Sequence, residues 1–155
     1  MQIRPAKTDE AAEICAVVRN SIIELCGADH RGEAAVLKGW LANKTPDNVR
    51  NWITDDGARL LVAIEGERIC GTASANRSGE VQLNYVSPHA QYRGVSNALL
   101  AALEAWLRGI GIKRVTLTTT KTAYRFYLHR GYRDDGPPKP WREGQTAQGL
   151  VKDLA

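Results

Sequence analysis

The sequence has few of the features that mark disulfide-bonded, metal-binding or membrane proteins. Its 155 residues include three histidines and three cysteines, and the cysteines, Cys15, Cys26 and Cys70, form no CxxC pair. An odd and widely spaced set of cysteines favours small core residues over a disulfide framework or a zinc site, so we expect no metal. No apolar run is long enough to span a bilayer, and the N-terminus lacks the layout of a signal peptide. These absences predict a cytoplasmic protein with no membrane partner.

Two common nucleotide-binding signatures are also absent. The chain contains neither the GxGxxG dinucleotide fingerprint nor the GxxxxGK[ST] phosphate loop. Lys and Arg outnumber Asp and Glu by 21 to 17, for a net charge of +4, and the two signs are interspersed. This distribution favours an anionic small ligand over a nucleic acid. The basic segment KTAYRFYLHRGYR, residues 121–133, leaves nucleic-acid binding as an alternative, which a steeply salt-dependent DNA affinity would support.

What is present is the composition of one globular domain spanning residues 1–155, with 43% apolar and 25% charged residues. Hydrophobic periodicity and turn residues predict an alternation of strands and helices. The predicted strands cover 1–5, 59–66, 68–76, 80–86, 114–120, a segment near 132 and 149–154, and the predicted helices cover 8–26, 33–43, 47–55, 96–108 and 122–130. This order predicts an α/β (α+β) fold, a mixed sheet with helices on both faces.

The segment SPHAQYRGVSNALLAALEAW, residues 87–106, leads from a strand through a polar loop into an apolar helix. The first backbone N–H groups of a helix lack internal partners and carry the positive end of its dipole, so a short loop here predicts an anion site. Gly94 permits close approach of the backbone, and Arg93 offers a positive side chain. The alternative is an ordinary polar connection, because helix starts are polar for capping reasons.

Two motifs, taken together, favour the anion-site interpretation over the ordinary polar connection. QYRGVSNALL resembles the acyl-coenzyme A signature QxxGxG/A of the GCN5-related N-acetyltransferase (GNAT) superfamily, and roughly thirty residues on, TKTAYRFYLHRGY resembles the second signature, NxxAxxFYxxxGF. The resemblance implies a mostly antiparallel sheet of about six or seven strands in which two central strands, LNYV and RVTLTTT, splay apart. It also implies an acetyl-CoA-dependent N-acetyltransferase that transfers the acetyl group to an amine by direct attack in a ternary complex.

Carried over by residue, the resemblance implies that the backbone amides of one loop hold the coenzyme's pyrophosphate. Backbone groups near Tyr85 and Val86 would pair with the pantetheine arm, and an N–H near Val86 would polarise the thioester carbonyl. Ser96 departs from the signature's Gly or Ala, and Thr120 departs from the Asn of the second signature that contacts the coenzyme. The expected pyrophosphate-binding residues are Gln91, Tyr92, Arg93, Gly94, Val95, Ser96 and Asn97.

Tyr127 matches the tyrosine that stands beside the coenzyme's sulfur in many family members. Acyl transfer to an amine expels a thiolate, and a phenol with a pKa near 10 can return a proton to it as a general acid. The alternative is that Phe126, Tyr127 and Tyr132 are aromatic core residues beside a helix end. A second functional alternative is a non-catalytic acyl-CoA-binding module, which the departures at Ser96 and Thr120 permit.

The acceptor amine must lose a proton before it attacks, because a free alkylamine is mostly protonated at neutral pH. Glu80 and His89, at either end of one strand, are candidate proton acceptors, although each is also typical of a solvated surface. Asp29 and His30 lie between two helices where this family builds its acceptor pocket, and could recognise a cationic amine or serve as loop polarity.

The segment PPKPWREGQ, residues 137–145, is predicted to form the other wall of the acceptor pocket, with an exposed Trp141. Trp40, Trp52 and Trp106 are predicted core residues. The expected partner is a small-molecule or peptide amine. Dimers are common in the family that the sequence resembles, so the resemblance leaves a homodimer open, although no segment shows a clear interface.

Overall fold

The chain folds around a single mixed sheet in the computed structural model, which describes residues 1–141 and 145–155. The strands are β1 (Gln2–Pro5), β2 (Ala58–Glu65), β3 (Arg68–Asn76), β4 (Glu80–Val86), β5 (Arg114–Thr119), β6 (Arg133–Asp134), β7 (Lys139–Pro140) and β8 (Thr146–Asp153). The helices are α1 (Ala11–Leu25), α2 (Gly27–His30), α3 (Ala34–Leu41), α4 (Pro46–Thr54), α5 (Val95–Gly109) and α6 (Tyr124–Leu128). Short 3₁₀ turns cover Thr8–Glu10 and Pro88–Ala90. The predicted α/β order is confirmed.

The strands follow the order β1-β2-β3-β4-β5-β8-β6, and β7 adds to β8. The β4–β5 pair is parallel and the other described pairs are antiparallel. The sheet has eight described strands where about six or seven were expected. The additional strand β7 has two residues, Lys139 and Pro140, which is too short for the alternation that identifies a strand in a sequence.

Helices cover both faces of the sheet and create two apolar layers. On one face, α5 places Leu99, Leu103 and Leu107 at helical spacing against strand residues such as Val115 and Leu150. On the other face, the stripe of α1 packs with α4 and the opposite side of the strands. The three cysteines are buried and free, as core residues would be.

The central strands splay because β4 contains a bulge. Val81 pairs with Ala75 and Leu83 pairs with Ser74, so Gln82 is one extra residue in β4. Pairing between β4 and β5 in the described chain consists of Glu80 with Thr116 and Val81 with Leu117. Beyond these pairs the strands separate, which confirms the expected splay.

The bulge also changes the side-chain direction along β4. Unbroken alternation would place Val81, Leu83 and Tyr85 on one face of β4. Instead Val81 belongs to the α5 layer, whereas Leu83 and Tyr85 pack against the α1 layer. The extra residue Gln82 reverses the alternation, because the side-chain period of a strand is two.

Several helix boundaries differ from those expected. α3 is shorter than predicted, α4 begins and ends one residue earlier than predicted, and α6 is five residues long where the sequence predicts a helix over 122–130. Thr45 accepts a hydrogen bond from the Asn48 N–H at 3.2 Å and begins α4. Trp40 is 2% exposed and Trp52 and Trp106 are partly buried against the two layers. Among residues 1–141 and 145–155, no helix has the length and apolar content needed to cross a membrane.

Candidate active site

The polar loop before α5 exposes a run of backbone donors. The first helical hydrogen bond runs from the Ala98 N–H to the Gly94 carbonyl at 3.0 Å. Within the described chain, the amides of residues 91–97 donate no hydrogen bond. Gly94 (φ 78°) and Tyr92 (φ 64°) are left-handed, and a tyrosine in this conformation is strained, as is common at binding sites. The predicted anion site therefore has the geometry it needs.

The positive side chain beside this loop comes from a different residue than expected. Arg93 pairs with Glu65 at 3.1 Å on the surface and does not line the adjoining cavity. Arg130 does line it: its Nε donates to Asn97 Oδ1 at 2.8 Å, and its guanidinium lies 3.8 Å from the centroid of the Phe126 ring. Arg130 belongs to the basic segment considered for nucleic-acid binding, and the sequence analysis did not predict it at this cavity. It nevertheless lies inside the second signature.

A cavity of about 470 Å³, here named the first cavity, extends from the α5 start along β4. Its walls come from the loop, from β4, from α1 and from the segment that carries α6. The predicted residues among its lining are Tyr85, Val86, Gln91, Tyr92, Gly94, Val95, Ser96, Asn97, Thr120 and Tyr127. The structure thus brings together every predicted coenzyme-binding residue except Arg93.

Thr120 holds the turn before α6. Its Oγ1 accepts a hydrogen bond from the Ala123 N–H at 3.1 Å, so the hydroxyl oxygen has a partner within the chain. Thr120 nevertheless lines the first cavity. It also lines two further cavities beside β4 and β5, which are described below. It therefore contributes shape to the site, while the amide contact of the family signature has no counterpart at this position.

Tyr127 is buried, with 5% of its surface exposed, yet it lines the first cavity and a narrow one of about 60 Å³ between β4 and β5. Its ring packs edge-on against Phe126 and Tyr132, with centroids 5.1 and 5.4 Å apart. Burial raises the pKa of the Tyr127 hydroxyl to about 12, and the nearby Asn84 side chain acts on this pKa in the opposite direction. The phenol is therefore protonated at neutral pH, and its burial fits the packing interpretation without excluding the catalytic one.

A second cavity of about 560 Å³ lies on the other side of the gap between β4 and β5. It contains Glu80, as predicted for an acceptor site, and shares Tyr85 and Thr120 with the first cavity. Trp141 also lines it, but is half-buried rather than exposed, with its ring 6.0 Å from that of Trp40. The rest of the predicted 137–145 wall lies partly outside the described residues.

Asp29 and His30 have roles within the chain instead of lining either cavity. The Asp29 carboxylate accepts hydrogen bonds from the N–H groups of Lys121 and Thr122, at 2.6 and 3.1 Å, and from the Thr122 hydroxyl. His30 Nε2 lies 2.9 Å from the Ile22 carbonyl, and its Nδ1 accepts from a backbone N–H. Both side chains are buried. The acceptor role expected for these two residues stays a prediction, and the role that their contacts show is structural: Asp29 fixes the loop that precedes α6.

The fold and its paired cavities define a mixed α/β protein with a run of unpaired amides at a helix start and a gap between splayed strands. The family model described as an acetyltransferase (GNAT) domain matches residues 26–148. Because the match covers most of the chain, the protein belongs to the GNAT acetyltransferase family. No curated protein matches it in sequence.

Solved structures agree with this assignment at the level of the fold. A GCN5-related N-acetyltransferase from Rhodopseudomonas palustris is 23% identical with a TM-score of 0.87, and the match covers 99% of this chain and 95% of that one. The PaiA N-acetyltransferase of Thermoplasma acidophilum, in complex with coenzyme A, is 15% identical with a TM-score of 0.81 over 99% and 98% of the chains. The putative acetyltransferase YncA of Salmonella typhimurium, with acetyl-CoA, is 20% identical with a TM-score of 0.76 over 100% and 94%.

Proposed function

We propose that this protein is an acetyl-CoA-dependent N-acetyltransferase. The observation that carries the proposal is the run of unpaired amides at residues 91–97, which opens into a cavity that reaches Tyr127. A pyrophosphate matches several N–H donors at the positive end of a helix dipole. The coenzyme A and acetyl-CoA in two of the similar structures support the same ligand class.

The orientation of β4 supports the proposed position of the acyl group. The Ser87 N–H donates to the Cys70 carbonyl of β3 at 2.8 Å. Because successive N–H groups of a strand point to opposite edges, the Val86 N–H points away from β3, toward the gap. An N–H in this position would polarise a thioester carbonyl and stabilise the negative charge that develops on its oxygen.

Two cavities that meet at the gap favour direct attack in a ternary complex. Acetyl-CoA supplies an acyl thioester, whose C–S bond breaks as the amine nitrogen forms a bond to the carbonyl carbon. Tyr127 gives its proton to the departing thiolate, and Glu80, directly or through water, takes the proton that the amine loses. Glu80 is exposed at one end of the second cavity, where Asn76 Nδ2 donates to its Oε1 at 3.2 Å. The acceptor is a small-molecule or peptide amine.

Calorimetry with coenzyme A and a thiol-release assay over a panel of amines test the proposal. Gly94→Ala strains the loop without a steric clash, because Gly94 has a positive φ and open space around it. We expect this variant to lose at least tenfold in coenzyme A affinity. Gly111→Ala is the matched control, since Gly111 is also left-handed and unobstructed but follows the far end of α5. Equal losses in the two variants, or no binding by the unaltered protein, would refute the proposal.

A non-catalytic acyl-CoA-binding module is the second candidate. Thr120 favours this candidate. It stands where the family signature has an asparagine that contacts the coenzyme, and its Oγ1 instead accepts a hydrogen bond from the Ala123 N–H. Tight coenzyme binding without thiol release from acetyl-CoA, across primary alkylamines, diamines, amino acids and peptides, would support this candidate and exclude the enzyme.

A further inference from the structure

Asn84 is a polar side chain in β4 whose hydrogen bonding is incomplete. Its Nδ2 donates to the Ser96 carbonyl at 3.4 Å. Its Oδ1 is fully buried and has no hydrogen-bond partner among the described residues. A buried acceptor without a partner is costly and requires a physical explanation. Asn84 lines both the first cavity and the narrow gap beside Tyr127, so the explanation lies at the site.

The orientation of the amide follows from its neighbours. Exchanging the nitrogen and oxygen of Asn84 would set Oδ1 against the Ser96 carbonyl oxygen, two acceptors 3.4 Å apart. The nitrogen must therefore face α5, which leaves Oδ1 as the atom without a partner.

We infer that Asn84 is a coenzyme-binding residue: its Oδ1 accepts a hydrogen bond from an amide N–H of the coenzyme. This inference rests on the proposed function. The coenzyme is assigned as the donor rather than the acceptor amine because Asn84 lines the first cavity and is absent from the lining of the second. Binding would then satisfy the oxygen that the free protein leaves unpaired.

The inference predicts opposite effects on stability and on binding. Asn84→Leu replaces the amide with an apolar side chain of similar size, so it removes the unpaired acceptor from the free protein. The Ser96 carbonyl keeps its helical hydrogen bond. We expect the urea midpoint of the variant to be equal to or higher than that of the unaltered protein. We expect its dissociation constant for coenzyme A to rise about tenfold, the loss of one hydrogen bond.

Asn51→Leu is the matched control, an identical change at an exposed position of α4 outside the described cavities; it should change none of these quantities. If Asn84→Leu does not fold, Asn84→Ala tests the same loss of coenzyme affinity. A lower urea midpoint with unchanged coenzyme affinity would show a purely structural role and overturn the inference. An unchanged coenzyme affinity with a raised KM for the amine would move Oδ1 to the acceptor and overturn the assignment. The proposed function itself fails separately, if the unaltered protein neither binds coenzyme A nor releases thiol.

Discussion

Tyr127→Phe separates the chemical role of this residue from its packing role. The substitution keeps the ring between Phe126 and Tyr132, whose centroids lie 5.1 and 5.4 Å away, and removes the hydroxyl. Loss of a general acid lowers kcat by about 10²- to 10⁴-fold, which corresponds to about 3 to 5 kcal/mol in the barrier. Loss of the polar interactions of one buried hydroxyl costs about 1 kcal/mol of folding free energy. We therefore expect a folded variant with normal coenzyme affinity and a much lower kcat.

The pH dependence gives a second, independent expectation. A tyrosine with the ordinary pKa near 10 is half ionised at pH 10. Burial raises the pKa of Tyr127 to about 12, so about 1% of it is ionised at pH 10. The proton donor is thus retained, and kcat should stay level from neutral pH to about 10, measured as loss of thioester absorbance at saturating amine.

Tyr124→Phe is the control for this experiment. Tyr124 lies three positions earlier, and its hydroxyl donates to Asp134 Oδ1 at 2.7 Å, outside the first cavity. It should keep kcat within about twofold of the unaltered protein, as is usual for a group outside the transition state. If Tyr127→Phe also stays within that range, the general-acid role is refuted. A kcat of the unaltered protein that falls by half near pH 10 would instead contradict the raised pKa of Tyr127.

Three further predictions concern packing and buried charge. Gly71→Ala would place a Cβ 2.6 Å from Val95 Cγ1, displacing the α5 start; we expect a loss of about 1 to 3 kcal/mol in urea unfolding and weaker coenzyme binding by calorimetry. Lys152→Met leaves the buried Glu104 carboxylate without its ion-pair partner at 3.0 Å, and should lower the unfolding free energy by about 2 to 3 kcal/mol. Burial raises the pKa of the Cys26 thiol from 9.0 to about 12, so its contribution to stability is complete below pH 9 and is lost as the pH rises toward 12; Cys26→Ala should flatten that decline in urea midpoints.

Each of these has a control on the same chain. Gly109→Ala meets open space near the C-terminal end of α5 and should not lower stability. Arg114→Met removes a pair with Asp153 in which both side chains are more than half exposed, and should cost less than about 1 kcal/mol. Equal effects at the paired positions, or a pH profile that Cys26→Ala leaves unchanged, would contradict the packing and burial arguments.

The loop and Tyr127 could be predicted because their signals are local. The unpaired amides follow from where a helix begins, and Gly94 and Pro88 mark that boundary within a few residues of each other. Tyr127 and Gly131 keep a fixed spacing within one short segment. Features of this kind depend on a few consecutive residues, so they can be recognised in the sequence without the tertiary structure.

Asp29 and Arg130 could not be predicted, because their roles depend on residues far away in the chain. Asp29 lies in a short polar segment that is typical of a solvated loop, yet it binds the backbone of Lys121 and Thr122, across the fold. Arg130 is one of several basic residues in its segment, and its proximity to Asn97 comes from the packing of α6 beside the α5 start. Neither pairing leaves a periodic or compositional signal in the sequence.

The bulge at Gln82 links the two properties of β4 on which the site depends. It falls where β4 stops pairing with β5, immediately after Val81, so the gap begins at the extra residue. Because it also reverses the alternation, Asn84 lies on the α5 side of the sheet, in reach of Ser96, while Leu83 packs against the opposite layer. In an unbroken strand with Val81 in the α5 layer, Asn84 would face α1, away from Tyr127. One inserted residue therefore both opens the space between the strands and turns a polar side chain into it.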